Sequence, residues 1–91
     1  MDNRTDRIRS ALASQFAPER LEVVDDSQSH AGHSGAAPGG QTHFNVLLVS
    51  PQFTGMNRVA RSRAVHAALE AEFASGLHAL ALTLRAPEEA A

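Results

Sequence analysis

The chain has 91 residues, a net charge of −2 and no cysteine, so it supplies a single domain (residues 1–91), and a metal bound by it alone must use His, Asp or Glu. Its acidic balance excludes the diffuse attraction for phosphate that a basic protein would have. No segment approaches the roughly 18 apolar residues of a membrane span, and the charged N-terminus lacks the apolar stretch of a signal peptide, so the sequence predicts a soluble cytoplasmic protein without membrane contact.

The first elements are a helix and a short strand. Asn3 or Thr5 can cap a helix of about residues 4–15, in which apolar residues recur at helical spacing. Residues 21–26 have the β-branched content of a short strand, and their charges indicate that one face of it is exposed to solvent.

A long polar segment follows the first strand. Residues 28–41 are rich in Ser, Ala, Gly and Pro and contain His30 and His33. Because this composition cannot bury enough apolar area to order itself, we predict a mobile loop, and loops of this length in small domains are usually functional.

The strongest strand signal covers residues 42–50, where apolar residues occupy both faces. This pattern predicts the central strand of a sheet. Pro51 ends it, and a second helix is predicted from about 58 to 73 with Asn57 as its cap.

The last strand is predicted over residues 76–84 and contains a histidine. His78 shares the parity of three alternating leucines, so the pattern places it at one end of their apolar face. An imidazole there either satisfies a buried hydrogen bond or offers a nitrogen to a partner. The tail, residues 86–91, is predicted to fray.

The order helix, strand, strand, helix, strand predicts an α+β domain with a three-stranded mixed sheet and its helices on one face. A helical crossover permits the second and third strands to run parallel, whereas the first two can pair antiparallel across the loop.

Several short motifs follow one another in a fixed order: Asp26-Ser27 with His30, Gly40-Gln41-Thr42-His43-Phe44, Val49-Ser50-x-x-Phe53-x-Gly55, Arg58-Val59-Ala60-Arg61-Ser62-Arg63-x-Val65, Leu69-x-x-Glu72 and Leu77-His78-Ala79-Leu80. As a set, from about residue 7 to residue 84, they resemble the BolA family. The resemblance implies the fold predicted above, which is related to the class II KH topology, with a short helical turn before the second helix.

The resemblance also implies two functions. BolA-like proteins pair with monothiol glutaredoxins and share a two-iron, two-sulfur (2Fe–2S) cluster, which points to iron–sulfur trafficking or iron sensing, and some bacterial members are described as DNA-binding transcriptional regulators. The family's strand ligand matches His78, and its loop ligand matches His30, with His33 as an alternative. Two imidazoles can hold one iron, as in Rieske centres, if the glutaredoxin cysteine and a bound glutathione provide thiolates to the other. Alone, the chain is expected to be a monomer or weak homodimer without a cluster.

Other interpretations of the histidines remain open. His78 can be a buried core residue, and His30 and His33 can be solvated loop residues. These three could also bind a divalent metal without a partner. His43, beside Phe44 in the central strand, is expected to be structural, because the resemblance implies that it packs or hydrogen-bonds near the base of the loop. His66 is assigned no chemistry.

Three arginines at the start of the second helix, Arg58, Arg61 and Arg63, match the family's basic motif, although Ser62 replaces its usual histidine. Guanidinium groups at a helix N-terminus oppose the macrodipole unless they meet an anion or a carboxylate. That anion could be DNA phosphate, glutathione or a partner's acidic side chain, and the alternative is local pairing on a solvated helix. A DNA-binding regulator is therefore the second hypothesis.

Other activities lack a signal. Gly32-His33-Ser34-Gly35 has the letters of a KH loop but lies between two strands rather than two helices. The sequence has no cysteine nucleophile, no paired carboxylates in an apolar run and no strand-to-helix serine turn, so we predict that the chain is not an enzyme.

Overall fold

The structure, a computed structural model, describes residues 3–26 and 43–90. The elements in these ranges are α1 (Arg4–Phe16), β1 (Arg20–Asp25), β2 (His43–Val49), a 3-10 turn (Pro51–Phe53), α2 (Arg58–Ala68), α3 (Glu70–Ala74), β3 (Ala79–Arg85) and α4 (Pro87–Ala90). The predicted element order and the short helical turn before the second helix are confirmed. The predicted loop over residues 28–41 lies outside the described residues.

The three strands form one sheet in the order β1-β2-β3. β1 and β2 pair antiparallel, and β2 and β3 pair parallel, as predicted. β2 is the central strand, which explains its apolar residues on both faces. β3 is an edge strand of the sheet.

The helices cover one face of the sheet. Val23, Val46 and Leu82 stand at facing positions across the three strands and pack into the same core. No helix of the described residues covers the opposite face, and Val24 on it is 53 % exposed. The α+β prediction with helices on one face is confirmed.

α1 presents a single apolar stripe to this core. Ile8, Leu12 and Phe16 recur at intervals of four residues and are at most 4 % exposed. Burying each of these side chains stabilises the fold by roughly 1.5–3 kcal/mol. The helix begins at the predicted cap, where Asn3 Oδ1 accepts a hydrogen bond of 2.9 Å from the Asp6 backbone N–H.

The predicted second helix is divided into α2 and α3. Asn57 caps α2 as predicted, its Oδ1 accepting a 2.8 Å hydrogen bond from the Ala60 N–H. The division falls at Leu69, whose φ of −109° and ψ of 16° leave the helical region. Leu69 is 1 % exposed and packs into the core with Val65, so tertiary packing rather than a Gly or Pro signal decides where the helix is interrupted.

The chain after β3 folds against α2, where the sequence predicts fraying. Pro87–Ala90 form the helical turn α4, preceded by the fully buried Ala86. Glu89 anchors the turn, because its carboxylate accepts a 2.7 Å hydrogen bond from the Ala86 N–H and a 2.6 Å hydrogen bond from Arg61 Nη1. None of the helices within the described ranges has the length and apolar character needed to cross a membrane.

Candidate functional site

His78 lies one residue before β3 rather than inside it. Gly76, with φ of 129°, turns the chain out of α3, and the Leu77 N–H donates a 2.9 Å hydrogen bond to the Glu72 carbonyl. Leu77 is buried, whereas His78 is exposed. The position predicted for His78, on the apolar face of the strand, is therefore wrong, because β3 begins only at Ala79.

The neighbour of His78 is a second histidine. His43 begins β2, and parallel pairing sets it beside Ala79. The His43 and His78 rings are stacked, with 6.1 Å between their centroids and 23° between their planes. His43, for which the sequence favours a structural role near the loop base, thus forms an imidazole pair with His78 at this end of the sheet.

The connection between β1 and β2 begins and ends beside this pair. The Asp26 N–H donates a 2.8 Å hydrogen bond to the His43 carbonyl, so the residues that bracket the connection are in contact. His30 and His33 belong to the connection and lie outside the residues that the structure describes. Within residues 3–26 and 43–90, no group of three or more His, Asp or Glu side chains is arranged to hold a metal.

The surroundings of His78 suit a ligand to an external metal. Its ring is exposed and makes no hydrogen bond within the described part of the chain, which is inconsistent with the alternative of a satisfied core histidine. A neutral imidazole in this position keeps a nitrogen lone pair available for coordination.

The structure separates the three arginines of α2. Arg61 is only 9 % exposed. It donates to the Met56 carbonyl at 3.0 Å, to the Leu84 carbonyl at 3.3 Å and to both oxygens of Glu89, and its guanidinium carbon lies 5.7 Å from the centroid of the Phe53 ring. The hydrogen bond to Glu89 raises the pKa of Arg61. This side chain therefore joins α2 to β3 and α4, and it is not available as one of three exposed cations.

Arg58 and Arg63 remain exposed on α2. Neither forms a salt bridge with any residue of the described ranges. His66, which was assigned no chemistry, is stacked on Phe73 with 5.0 Å between ring centroids. An electrostatic surface on α2 thus rests on two arginines.

Two features of this region had no local signal in the sequence. The His43–His78 contact depends on the parallel register of β2 and β3, and the inward turn of Arg61 depends on Glu89, which stands 28 positions further along the chain. The strand pattern singled out His78, and the motif Leu77-His78-Ala79-Leu80 suggested its role as a ligand only through the resemblance to a family.

Comparisons with known proteins agree with the fold. A family model described as BolA-like protein matches residues 12–89. An uncharacterized Sinorhizobium protein encoded in the cobS 5′ region is 46% identical over 93% of this chain and 92% of its own length. The chloroplastic protein BOLA1 of Arabidopsis thaliana is 42% identical over 98% of this chain, which spans only 57% of that protein.

Solved structures show the same likeness. BolA1 from Arabidopsis thaliana superposes with a TM-score of 0.87 at 42% identity, over 98% of this chain and 97% of the other. The chain belongs to the BolA-like protein family.

Proposed function

We propose that this chain pairs with a monothiol glutaredoxin and co-ligates a 2Fe–2S cluster, acting in iron–sulfur trafficking or iron sensing. The observation that carries the proposal is the environment of His78. Its side chain is exposed and makes no hydrogen bond to a described residue, and its backbone is held between buried Leu77 and β3. Such a residue offers a coordinating nitrogen at little conformational cost.

The second ligand is His30 or His33, and the number of residues that separates each of them from Asp26 permits both. His30 stands four residues after Asp26 and His33 seven, and extended segments of those lengths reach at most about 14 Å and about 25 Å. Asp26 contacts His43, which in turn stacks on His78. Either loop histidine can therefore reach the neighbourhood of His78.

The donor set fits a shared cluster. A chain without cysteine can offer imidazole nitrogens to one iron, while glutaredoxin with glutathione supplies thiolates to the other. The cluster would provide iron and sulfide as cargo or as a redox signal. The residues of this chain bind it only as neutral imidazoles, so binding should weaken in acid. Binding of a divalent metal by His30, His33 and His78 without a partner stays an alternative prediction.

Reconstitution tests the proposal. The protein is mixed with a monothiol glutaredoxin, glutathione, iron and sulfide, and the visible absorption and circular dichroism are compared with those of glutaredoxin alone. The wild type should give a distinct spectrum, and His78→Ala should remove the difference. His30→Ala should weaken it, with His33 able to substitute. His66→Ala is the matched control, because that exposed histidine stacks on Phe73 and forms no ring contact with His43 or His78 in the described residues.

The proposal fails if the His78→Ala mixture keeps the wild-type spectrum and cluster lifetime. A divalent-metal titration of the chain alone addresses the other alternative. Binding that requires His30, His33 and His78 but no glutaredoxin would favour the partner-independent site.

A second candidate function is DNA binding by α2. It is favoured by Arg58 and Arg63, which are exposed and form no salt bridge within the described ranges. Two cations on an acidic protein support weak contacts to phosphate rather than recognition of bases.

A further inference from the structure

The outer edge of β3 carries unused main-chain groups. The Ser50 N–H donates to the Arg85 carbonyl at 3.0 Å, so the backbone of Arg85 faces β2. Because backbone groups alternate in direction along a strand, Leu80, Leu82 and Leu84 direct theirs outward. Leu84 agrees with this, since its carbonyl accepts from Arg61. Leu80 and Leu82 have no strand partner on this side among the described residues.

This edge lies along an open groove between β3 and α2. The groove has a volume of about 720 Å³. The half-buried side chains of Leu80 and Leu82 form its floor, and Arg58, Arg61 and His66 line the α2 side. An unpaired strand edge beside a partly apolar groove is the geometry in which an extended peptide can add as a further strand.

The charges of the groove select the occupant. Four ionised side chains line it: Arg58, Arg61, Arg85 and Glu89. Arg61 pairs with Glu89, whose carboxylate also interacts with the charge of Arg85. Arg58 and Arg85 are exposed and form no salt bridge with other described residues, so three arginines face one carboxylate in the groove. The groove therefore has a local positive charge on a protein whose net charge is −2, which complements an acidic segment.

We propose that this groove docks an extended, acidic segment of a partner protein by strand addition to β3. The apolar side chains of the segment would pack over Leu80 and Leu82, and its carboxylates would be attracted by Arg58 on the α2 side and by Arg85 at the end of β3. Single-stranded nucleic acid fits less well, because base stacking needs aromatic platforms and His66 is the only aromatic ring among the described residues that line the groove. The proposal goes beyond cluster binding, since it requires neither iron nor His78.

The test uses a fluorescein-labelled octapeptide of alternating Val and Glu, titrated with the whole protein at low salt and followed by anisotropy. Binding should be lost when Lys replaces Glu in the peptide. It should also be lost when the amides on one edge of the peptide are N-methylated, because methylation removes the main-chain donors without changing the charge. On titration, NMR amide shifts should be largest at Leu80 and Leu82.

Charge reversal in the protein locates the site. Arg58→Glu and Arg85→Glu should each weaken peptide binding by about tenfold, because each replaces an attraction with a repulsion. Arg63→Glu is the matched control, since Arg63 lies on the same helix but not among the residues that line the groove. Circular dichroism of each variant verifies folding.

Four results would overturn the proposal: no binding of the Val-Glu peptide, equal binding of its N-methylated form, an equal loss in Arg63→Glu, or shifts away from β3. If the protein binds oligothymidylate but not the peptide, and this binding depends on Arg58 and Arg85, the groove would instead be assigned to nucleic acid.

Discussion

Ala17, at the end of α1, holds a backbone conformation that glycine adopts more easily. Its φ of 44° and ψ of 57° lie in the left-handed region, and its N–H donates a 3.1 Å hydrogen bond to the Ala13 carbonyl. This geometry closes the helix before the chain turns into β1. A side chain in this conformation costs about 1–2 kcal/mol.

Ala17→Gly should therefore raise the free energy of unfolding by about 0.5–1 kcal/mol, because relief of the strain exceeds the entropy that glycine adds to the unfolded chain. Chemical denaturation measures the change. Ala13→Gly, at an exposed position inside α1, is the control and should lower the free energy of unfolding by about 0.5–1 kcal/mol. A loss of stability in both variants would show that Ala17 is not strained.

The Arg61–Glu89 pair should contribute to acid sensitivity. The hydrogen bond from Arg61, followed by the hydrogen bond from the Ala86 N–H, lowers the pKa of Glu89 from 4.5 to about 2. When folding lowers the pKa of a carboxyl group, the ionised group stabilises the folded state at pH values above the pKa that it has in the unfolded chain. This contribution is complete above about pH 4.5 and is lost as the pH falls to about 2.

Glu89→Gln should consequently reduce the fall in unfolding free energy between neutral pH and pH 2. Some acid dependence should remain, because hydrogen bonds from Arg7 and Arg4 also lower the pKa of Glu72. Glu88→Gln is the control, since Glu88 accepts from Thr54 and makes no hydrogen bond to Arg61. Identical pH profiles for Glu89→Gln and wild type would contradict the expectation.

At the scale of the element, α2 presents its arginines in two ways. Arg58 and Arg63 face solvent, whereas Arg61 is turned inward to hold α4. The two outward residues can meet phosphate, and the inward one supports the fold that presents them.

DNA binding by α2 should therefore be weak and strongly dependent on salt. We expect Arg58→Ala with Arg63→Ala to abolish the binding of a labelled duplex while leaving thermal stability near that of the wild type. Arg61→Ala should instead lower thermal stability, since it removes the cation that pairs with Glu89 and the donor to the Met56 and Leu84 carbonyls. Sequence-specific binding at physiological salt would make DNA recognition the leading function.

Local sequence patterns predicted the structural elements that are determined by neighbouring residues. Asn57 was identified as a cap because its residue type and position suffice, and the apolar run of β2 marked it as central. The interruption at Leu69 and the ordered turn after β3 were not predictable in this way. The first depends on core packing and the second on a contact between Arg61 and Glu89, so neither leaves a pattern in neighbouring residues.

At the scale of the whole molecule, the parallel register of β2 and β3 determines the site. It sets His43 beside Ala79 and so brings its ring to His78. The sequence identified His78 through a family motif and named His30 and His33 as loop candidates, but it could not supply this register. The alternation of strand residues also gave His78 the wrong environment, since β3 begins one residue later.

The contact between Asp26 and His43 means that the scaffold and its histidine-bearing connection can change independently. The hydrogen bond between them fixes where the connection leaves and rejoins the sheet, while buried side chains such as Val23 and Val46 hold the pairing of the two strands. Closing a longer connection between these fixed ends adds only about 0.6 kcal/mol of loop-closure entropy for each doubling of its length. Changes of length between Asp26 and His43 therefore carry a small entropic cost, and this part of the gene can diversify without a new fold.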